Sequence, residues 1–139
     1  VWKRTRIISA DVTSAIDPNF SDVHDASNAS FLGYGVAVEK YGGGGGKYST
    51  NDADSEFIHG LTKLFNDNNI SWQTGENGKI DIGGGGTIAM YLAKWGADVI
   101  DIGPAVLGMH APYELAHKAD IYSAYSAYKA FYENNLTLN

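Results

Sequence analysis

One histidine stands where an apolar run stops. Residues Pro104-Ala105-Val106-Leu107-Gly108-Met109 carry few polar groups, a composition that suits a buried strand, and His110 follows directly. Ligands in open α/β sheets collect at the carboxyl ends of strands, so an imidazole placed there is a candidate ligand. It also reads as a hydrogen-bonded core histidine, and pattern alone leaves both readings open. Two other groupings have chemical spacing. Glu56 and His59 stand three apart in a helical stretch, a separation used by carboxylate-bridged metal proteins, although a lone pair of this kind also describes a solvated helix face. Gly83-Gly84-Gly85-Gly86 leads into Thr87, where glycines permit close backbone approach and the free amides of a helix start can hold an anionic group. Close packing of loop on sheet is the alternative. It is not a phosphate loop, because it lacks the Gly-Lys-Ser/Thr ending, and no Gly-x-Gly-x-x-Gly with an acidic partner follows a strand.

These groups need elements to hold them. The stretch 6–12 reads as a short strand with Asp11 near its end, followed by a turn at Pro18-Asn19 and a polar segment to Ser30. Residues 35–41 alternate as a half-buried strand. Asn51 or Asp52 caps a helix through about Asn66, in which Ala53, Phe57, Ile58, Leu61, Leu64 and Phe65 recur at helical spacing. Residues 70–74 form a strand, and a helix from Thr87 stops at Gly96. A buried strand over 97–102 is flanked by Asp98 and Asp101, read as turn and sheet-edge carboxylates. Pro112 opens a long helix to about Asn134, whose face of Tyr122, Tyr125, Ala127, Tyr128, Phe131 and Tyr132 is ordinarily core, or faces a further part of the protein or a neighbouring subunit. His24 and His117 take surface roles.

Composition narrows the function classes. A length of 139 residues with 44% hydrophobic content suits one domain with a real core. A formal charge of −6, with Lys3-Arg4-Thr5-Arg6 the densest basic stretch, argues against nucleic acid. The chain has no cysteine, which excludes disulfides and thiolate zinc sites and leaves His and carboxylates as metal ligands. No apolar run reaches the ~18–20 residues of a membrane span, and the amino terminus lacks a signal-peptide core. A soluble, cytoplasmic protein is expected.

Three separated segments, ISADVTSAIDPNF at 8–20, GGGGTIA at 83–89 and GMHAPYELAHKAD at 108–120, resemble in order and spacing the carboxy-terminal part of the aspartyl aminopeptidase family of zinc-dependent exopeptidases. The similarity runs across nearly the whole chain. It is closest to the bacterial branch, in which a Gly33-Tyr34-Gly35 segment and an aromatic-rich terminal helix recur. Since the segments on both sides of the five glycines at 42–46 resemble one continuous domain, that run reads as a hairpin loop rather than a linker.

The resemblance implies a three-layer α/β/α arrangement with a mixed sheet, built here from strands near Arg6, Gly35, Ile70, Ala97 and Ala105. It also implies two zinc ions sharing a bridging carboxylate, with a glutamate as general base. Asp11 matches a carboxylate ligand of one ion and His110 the histidine ligand of the other. The first histidine, the bridging aspartate and the catalytic glutamate pair lie in segments with no counterpart here, so residues 1–139 read as the carboxy-terminal portion of a metallo-aminopeptidase catalytic domain. A catalytic zinc takes about three protein ligands and an open position for water, so little turnover is expected from this portion alone. The resemblance further implies that in the complete enzyme zinc would supply an activated water for hydrolysis of the first peptide bond of a substrate, and that the protein is a homo-oligomer.

Around those two ligands, Glu114 is a candidate to orient the site by accepting a hydrogen bond, with a helix-start carboxylate as the alternative. Gly85, Gly86 and Thr87 are candidates for the substrate side. Ala111 stands where the family often has serine, and Asp17 where eukaryotic relatives have histidine, which leaves substrate preference open. The rival readings are a non-catalytic assembly module or split-enzyme subunit, and an unrelated α/β domain that holds an anion on its glycine loop.

Overall fold

The computed structural model describes residues 1–44, 51–79, 81 and 83–134. In chain order its strands and α-helices are β1 (Arg6–Ser9), β2 (Thr13–Ser14), β3 (Val36–Glu39), β4 (Tyr41–Gly42), β5 (Asn51–Asp52), α1 (Ser55–Asp67), β6 (Trp72–Gly75), α2 (Ala89–Ala93), β7 (Asp98–Gly103), β8 (Ala105–Leu107), β9 (Leu115–Ala116) and α3 (Lys118–Glu133). The arrangement is α/β with a mixed main sheet in the order β1-β7-β3-β6. β1 runs parallel to β7, β7 antiparallel to β3, and β3 parallel to β6.

Side chains alternate across a strand, so each strand feeds two environments. Val36, Val38, Ile100 and Ile102 point to the face covered by α1 and α3, where they join Phe57, Leu61, Phe65 and Ala127 in the main core. Val99 points the other way, with Ala89 and Ala97 and with Ile7 packed against them, beneath α2. All four residues of β3 are buried, which corrects the half-buried reading: a strand inside the sheet with material on both faces has no solvated side.

The strand expected near Ala105 lies outside the main sheet. Pro104 interrupts the run after β7, and β8 joins a second sheet in the order β2-β8-β9. The hairpin reading of the glycine-rich turn holds at its base, where Tyr41 and Gly42 pair with Asp52 and Asn51; residues 45–46 fall outside the described residues.

Two helix starts differ from expectation. Asn51 and Asp52 lie in β5, with the Asn51 amide donating to the Val99 carbonyl at 3.0 Å, so the cap of α1 is Asp54, whose Oδ1 accepts from the N–H groups of Glu56 and Phe57 at 3.0 Å each. The long helix does not open at Pro112. Residues 108–114 form a loop, β9 pairs back on β8, and α3 begins only at Lys118, capped by the ring of His117, whose Nδ1 accepts from the N–H of Ala119 at 3.3 Å.

The aromatic-face reading of α3 holds in part: Ala127 is buried and Tyr128 and Phe131 pack against the main core. The buried residues of the helix are Asp120, Ser123, Ala124, Ala127 and Ala130, whereas Tyr122, Tyr125 and Tyr132 are exposed. The sheet face already carries bulky Ile100 and Ile102, so the small-residue stripe is the one that fits closely against it. Among the described residues no helix is long and apolar enough to cross a membrane.

Candidate functional site

Asp11 emerges just beyond β1. Its N–H donates to the Ser9 carbonyl at 3.0 Å and its Oδ1 accepts from the N–H of Val12 at 2.9 Å, a tight local turn that leaves the carboxylate exposed. This turn lies directly against the end of β7. A Cβ placed on Gly103 would come within 1.8 Å of the Asp11 carbonyl oxygen, so only glycine lets the two chains pass. Beyond the turn, the N–H of Thr13 donates to the Pro104 carbonyl at 3.2 Å, which locks β2 beside β8.

His110 sits in the loop between β8 and β9, and it is exposed rather than a core residue. Its backbone is left-handed, at φ 66°, a conformation uncommon for residues other than glycine. Two contacts hold it there. The N–H of Ala111 donates to the Gly108 carbonyl at 2.8 Å, and the N–H of His110 donates to Glu114 Oε1 at 2.7 Å. Glu114 thus grips the backbone of the histidine rather than its ring, and it lies before β9 instead of at a helix start. Asp11 and His110 flank the same parallel pair, Asp11 ahead of β2 and His110 after β8.

The glycine loop is packed backbone against backbone. A Cβ on Gly84 would lie 2.9 Å from the carbonyl oxygens of Gly43 and Gly44, and the Gly85 carbonyl accepts from the N–H of Gly43 at 2.9 Å. The helix expected at Thr87 begins at Ala89 and spans five residues. The Thr87 hydroxyl accepts from the N–H of Ala89 at 3.1 Å and donates to Asp101 Oδ2 at 2.9 Å. Among the described residues, a Cβ placed on Gly86 would meet nothing within 4 Å.

Asp101 is not the sheet-edge carboxylate expected: it lies in an interior strand, in register with Ser9 on one side and Glu39 on the other, and is 2% exposed. Burial pushes its carboxyl above the ordinary range. The hydroxyls of Ser9 and Thr87 oppose that push and the charge of Asp11 adds to it. Oδ1 is buried without a well-formed hydrogen bond among the described residues. Glu39 takes the hydroxyl of buried Thr13 on its Oε1. The signal that could have found Asp101 was an acid inside an apolar strand. Asp120 had no comparable local signal: it is fully buried and accepts from the N–H groups of Gly33 at 2.7 Å and Gly35 at 2.8 Å, partners far away in sequence.

The other histidines divide. His24 is buried, against expectation, because the short turn Ser21–Val23 folds it inward, and its Nδ1 lacks a partner among the described residues. His59 and Glu56 are exposed on α1, as a solvated face requires. Among the described residues no group of three or more His, Asp or Glu side chains is placed to hold a metal ion. Asp11 and His110 have the donor chemistry zinc accepts, an exposed carboxylate oxygen and an imidazole nitrogen, but not the number a closed or catalytic zinc site needs.

The family model described as "Aminopeptidase I zinc metalloprotease (M18)" matches residues 1–132. The chain is 51% identical to "Probable M18 family aminopeptidase 1" of Thermotoga neapolitana over 96% of its own length and 29% of that protein's, and 52% identical to the Thermotoga maritima counterpart over 96% and 30%. The solved M18 aminopeptidase structure from Thermotoga maritima superposes with a TM-score of 0.88 at 52% identity, covering 93% of this chain and 29% of that one. The aminopeptidase I structure from Clostridium acetobutylicum gives 0.89 at 45%, covering 95% and 29%. The chain thus spans under a third of the length of these relatives. Matched by one family model along nearly its whole length, this chain belongs to the aminopeptidase I zinc metalloprotease (M18) family.

Proposed function

We propose that residues 1–139 act as the carboxy-terminal portion of the catalytic domain of a zinc aminopeptidase that removes amino-terminal residues from peptides. The observation that carries this is the match at about half identity over 96% of the chain, within a family model spanning residues 1–132, which includes both Asp11 and the strained His110 loop. In this reading Asp11 and His110 each supply one ligand to a pair of zinc ions. The bridging aspartate, a further histidine and a glutamate base come from the rest of a polypeptide of the relatives' length. Zinc, when bound, supplies Lewis acidity and lowers the pKa of a water. This chain's own part is to hold its two donors in place. Glu114 fixes the backbone of the His110 loop, and Gly85, Gly86 and Thr87 border the substrate side.

The sheet belongs to a three-layer α/β/α domain in this reading, since α1 and α3 cover Ile100 and Ile102 while α2 covers Val99. The complete protein is a homo-oligomer of the cytoplasm, a compartment that suits a chain without cysteine. A second reading, an assembly module or split-enzyme subunit without catalysis of its own, draws on the exposed tyrosines of α3.

Complementation separates the readings. The chain alone should not hydrolyse aminoacyl anilides, and mixing it with the preceding portion of the Thermotoga maritima relative should produce zinc-dependent hydrolysis that His110→Ala abolishes. Zinc-dependent turnover by the chain alone, lost in His110→Ala, would show that the site is complete here. Failure of every complementing mixture would favour the module.

A further inference from the structure

The carboxylate of Asp101 is the meeting point of three chain segments. On one side it is in register with Ser9, two residues ahead of Asp11, and the Ser9 hydroxyl acts on it. Above it the Thr87 hydroxyl donates to Oδ2 at 2.9 Å and in turn takes the N–H of Ala89 at 3.1 Å, which closes the glycine loop onto the start of α2. Over it passes β4: a Cβ on Gly42 would lie 3.1 Å from Oδ2 and 3.9 Å from the Thr87 hydroxyl. The next residue, Gly43, donates to the Gly85 carbonyl at 2.9 Å. The strand that delivers Asp11, the 83–87 loop and the β4–β5 hairpin are thus referenced to one side chain.

An apolar residue of similar volume would fill this space without the cost of burying an acid, and replacing buried polar groups in this way is often neutral or stabilising. The carboxylate gives what an apolar group cannot, a directional hydrogen bond to the Thr87 hydroxyl on a separate segment. Its neighbour along the sheet, Glu39, is occupied with Thr13, the first residue of β2, on the far side of Asp11. The Asp11 turn is therefore tied before and behind, at Ser9 through Asp101 and at Thr13 through Glu39.

We infer that Asp101 is a positioning residue: its carboxylate ties the Thr87 loop to the β1–β7 pair, in which Asp101 is in register with Ser9, and so sets where Asp11 presents its own carboxylate relative to that loop. The inference rests on the aminopeptidase reading. It places the glycine loop and the Asp11 ligand in one rigid unit, so that the substrate side and the metal side of the site keep a fixed separation.

Two nearly isosteric variants test it, Asp101→Asn and Thr87→Val, with Thr87→Ser as the conservative control. In the 139-residue chain, amide hydrogen exchange should show faster exchange at Gly43 and Ala89 in Thr87→Val and Asp101→Asn, with Leu61 and Ala127 in the helices unchanged and Thr87→Ser close to wild type. In the complemented assembly, Asp101→Asn should lower kcat about 10–100-fold, the range for groups that orient metal ligands, with KM nearly unchanged. Unchanged exchange at Gly43 and Ala89 in both variants overturns the inference whatever the assembly does. Faster exchange with an unchanged kcat overturns it too, reducing Asp101 to a structural carboxylate. A wild-type assembly that never turns over sinks the aminopeptidase reading and this inference together, a result distinct from an active assembly indifferent to Asp101.

Discussion

The two faces of the main sheet come from the same strands, yet each contains a different kind of buried aspartate. On the face under α1 and α3, Ile100, Ile102, Val36 and Val38 meet Phe57, Leu61 and Phe65, and the nearby Asp120 has both carboxylate oxygens satisfied by backbone amides. On the α2 face the apolar patch is smaller, and the ends of β1, β7 and β3 carry Ser9, Asp101 and Glu39 side by side. Among the described residues, Asp101 there takes one well-formed hydrogen bond on Oδ2 and none on Oδ1. The difference teaches where stability and adjustable chemistry reside. One face is filled by shape, and its acid is satisfied by two backbone amides; the other leaves an acid poised beside the turn that presents Asp11.

Truncation in the filled face should have the largest effect. Phe57→Ala is expected to cost roughly 3–5 kcal/mol and Leu61→Ala roughly 2–5, since both side chains are almost fully buried against the sheet and α3. Val99→Ala, under α2, should cost less, about 2 kcal/mol for the two methyl groups and the space they leave. Urea midpoints compare them directly. If Val99→Ala proves as costly as Phe57→Ala, the contrast between the faces is wrong.

Asp120→Ala comes next. It strips partners from the amides of Gly33 and Gly35, and hydrogen bonds to charged groups run at about 1.5–3 kcal/mol each, so a total loss of roughly 3 kcal/mol is expected. The position cannot be rescued by reshaping the loop. Gly35 has φ 99°, and a Cβ there would meet the Ser71 carbonyl oxygen at 2.3 Å. A loss below about 1 kcal/mol, the net worth of one ordinary hydrogen bond, would show that water replaces the carboxylate and that Asp120 is no clamp.

Much of this was legible in the residues and some was not, for physical reasons. The period of Phe57, Leu61, Leu64 and Phe65 showed α1 because amphipathic spacing is local information. The start of α1 was misread by two or three residues because three polar candidates precede it, and only pairing with β4 shows that Asn51 and Asp52 belong to a strand. α3 offered two overlapping helical stripes, one of small residues that includes Ala124, Ala127 and Ala130, and one aromatic, from which Tyr128 and Phe131 pack inward while Tyr122, Tyr125 and Tyr132 stay exposed. Which of these residues face inward depends on the bulk of Ile100 and Ile102, which no helix pattern contains. Asp11 and His110 were proposed as ligands through motif resemblance rather than local periodicity, and their loops are where the chain departs from regular structure. Asp101 was seen but taken for an edge, because the antiparallel neighbour that buries it, β3, lies far away in sequence.

The acid on the α2 face predicts a pH effect. Burial raises the Asp101 carboxyl above 3.8, so between 3.8 and the raised value the folded state binds more protons than the unfolded state. Unfolding free energy must then fall as pH rises through that window, a component opposite in sign to that of carboxylates whose pKa is lowered on folding. Asp101→Asn should remove this component, leaving a variant that gains relative to wild type as pH rises from about 4 to 7. Urea midpoints across that range decide it. Parallel curves for the two proteins would mean that the carboxyl is solvated as in the unfolded chain.

The smallest effect expected belongs to Tyr128, which reaches from α3 to the end of β7 and joins the two environments. Its hydroxyl donates to the Ile102 carbonyl at 2.6 Å, and its pKa is pushed up to about 12, first by burial and then by the negative charge of Asp11. Because the folded state keeps the phenol proton to higher pH than the ordinary 10.0, stability should decline from about pH 10 as the raised value is approached. Tyr128→Phe should cost about 1 kcal/mol near neutral pH, the net worth of one hydrogen bond, and should remove that alkaline decline. Asp11→Asn is the sharper probe. It keeps the phenol buried but removes the charge, so the phenolate titration followed by ultraviolet absorbance should shift to lower pH than in wild type. An unshifted titration in Asp11→Asn would place the Asp11 carboxylate away from the end of β7, and with it would fall the idea that the turn beside Asp101 is where the ligand is presented.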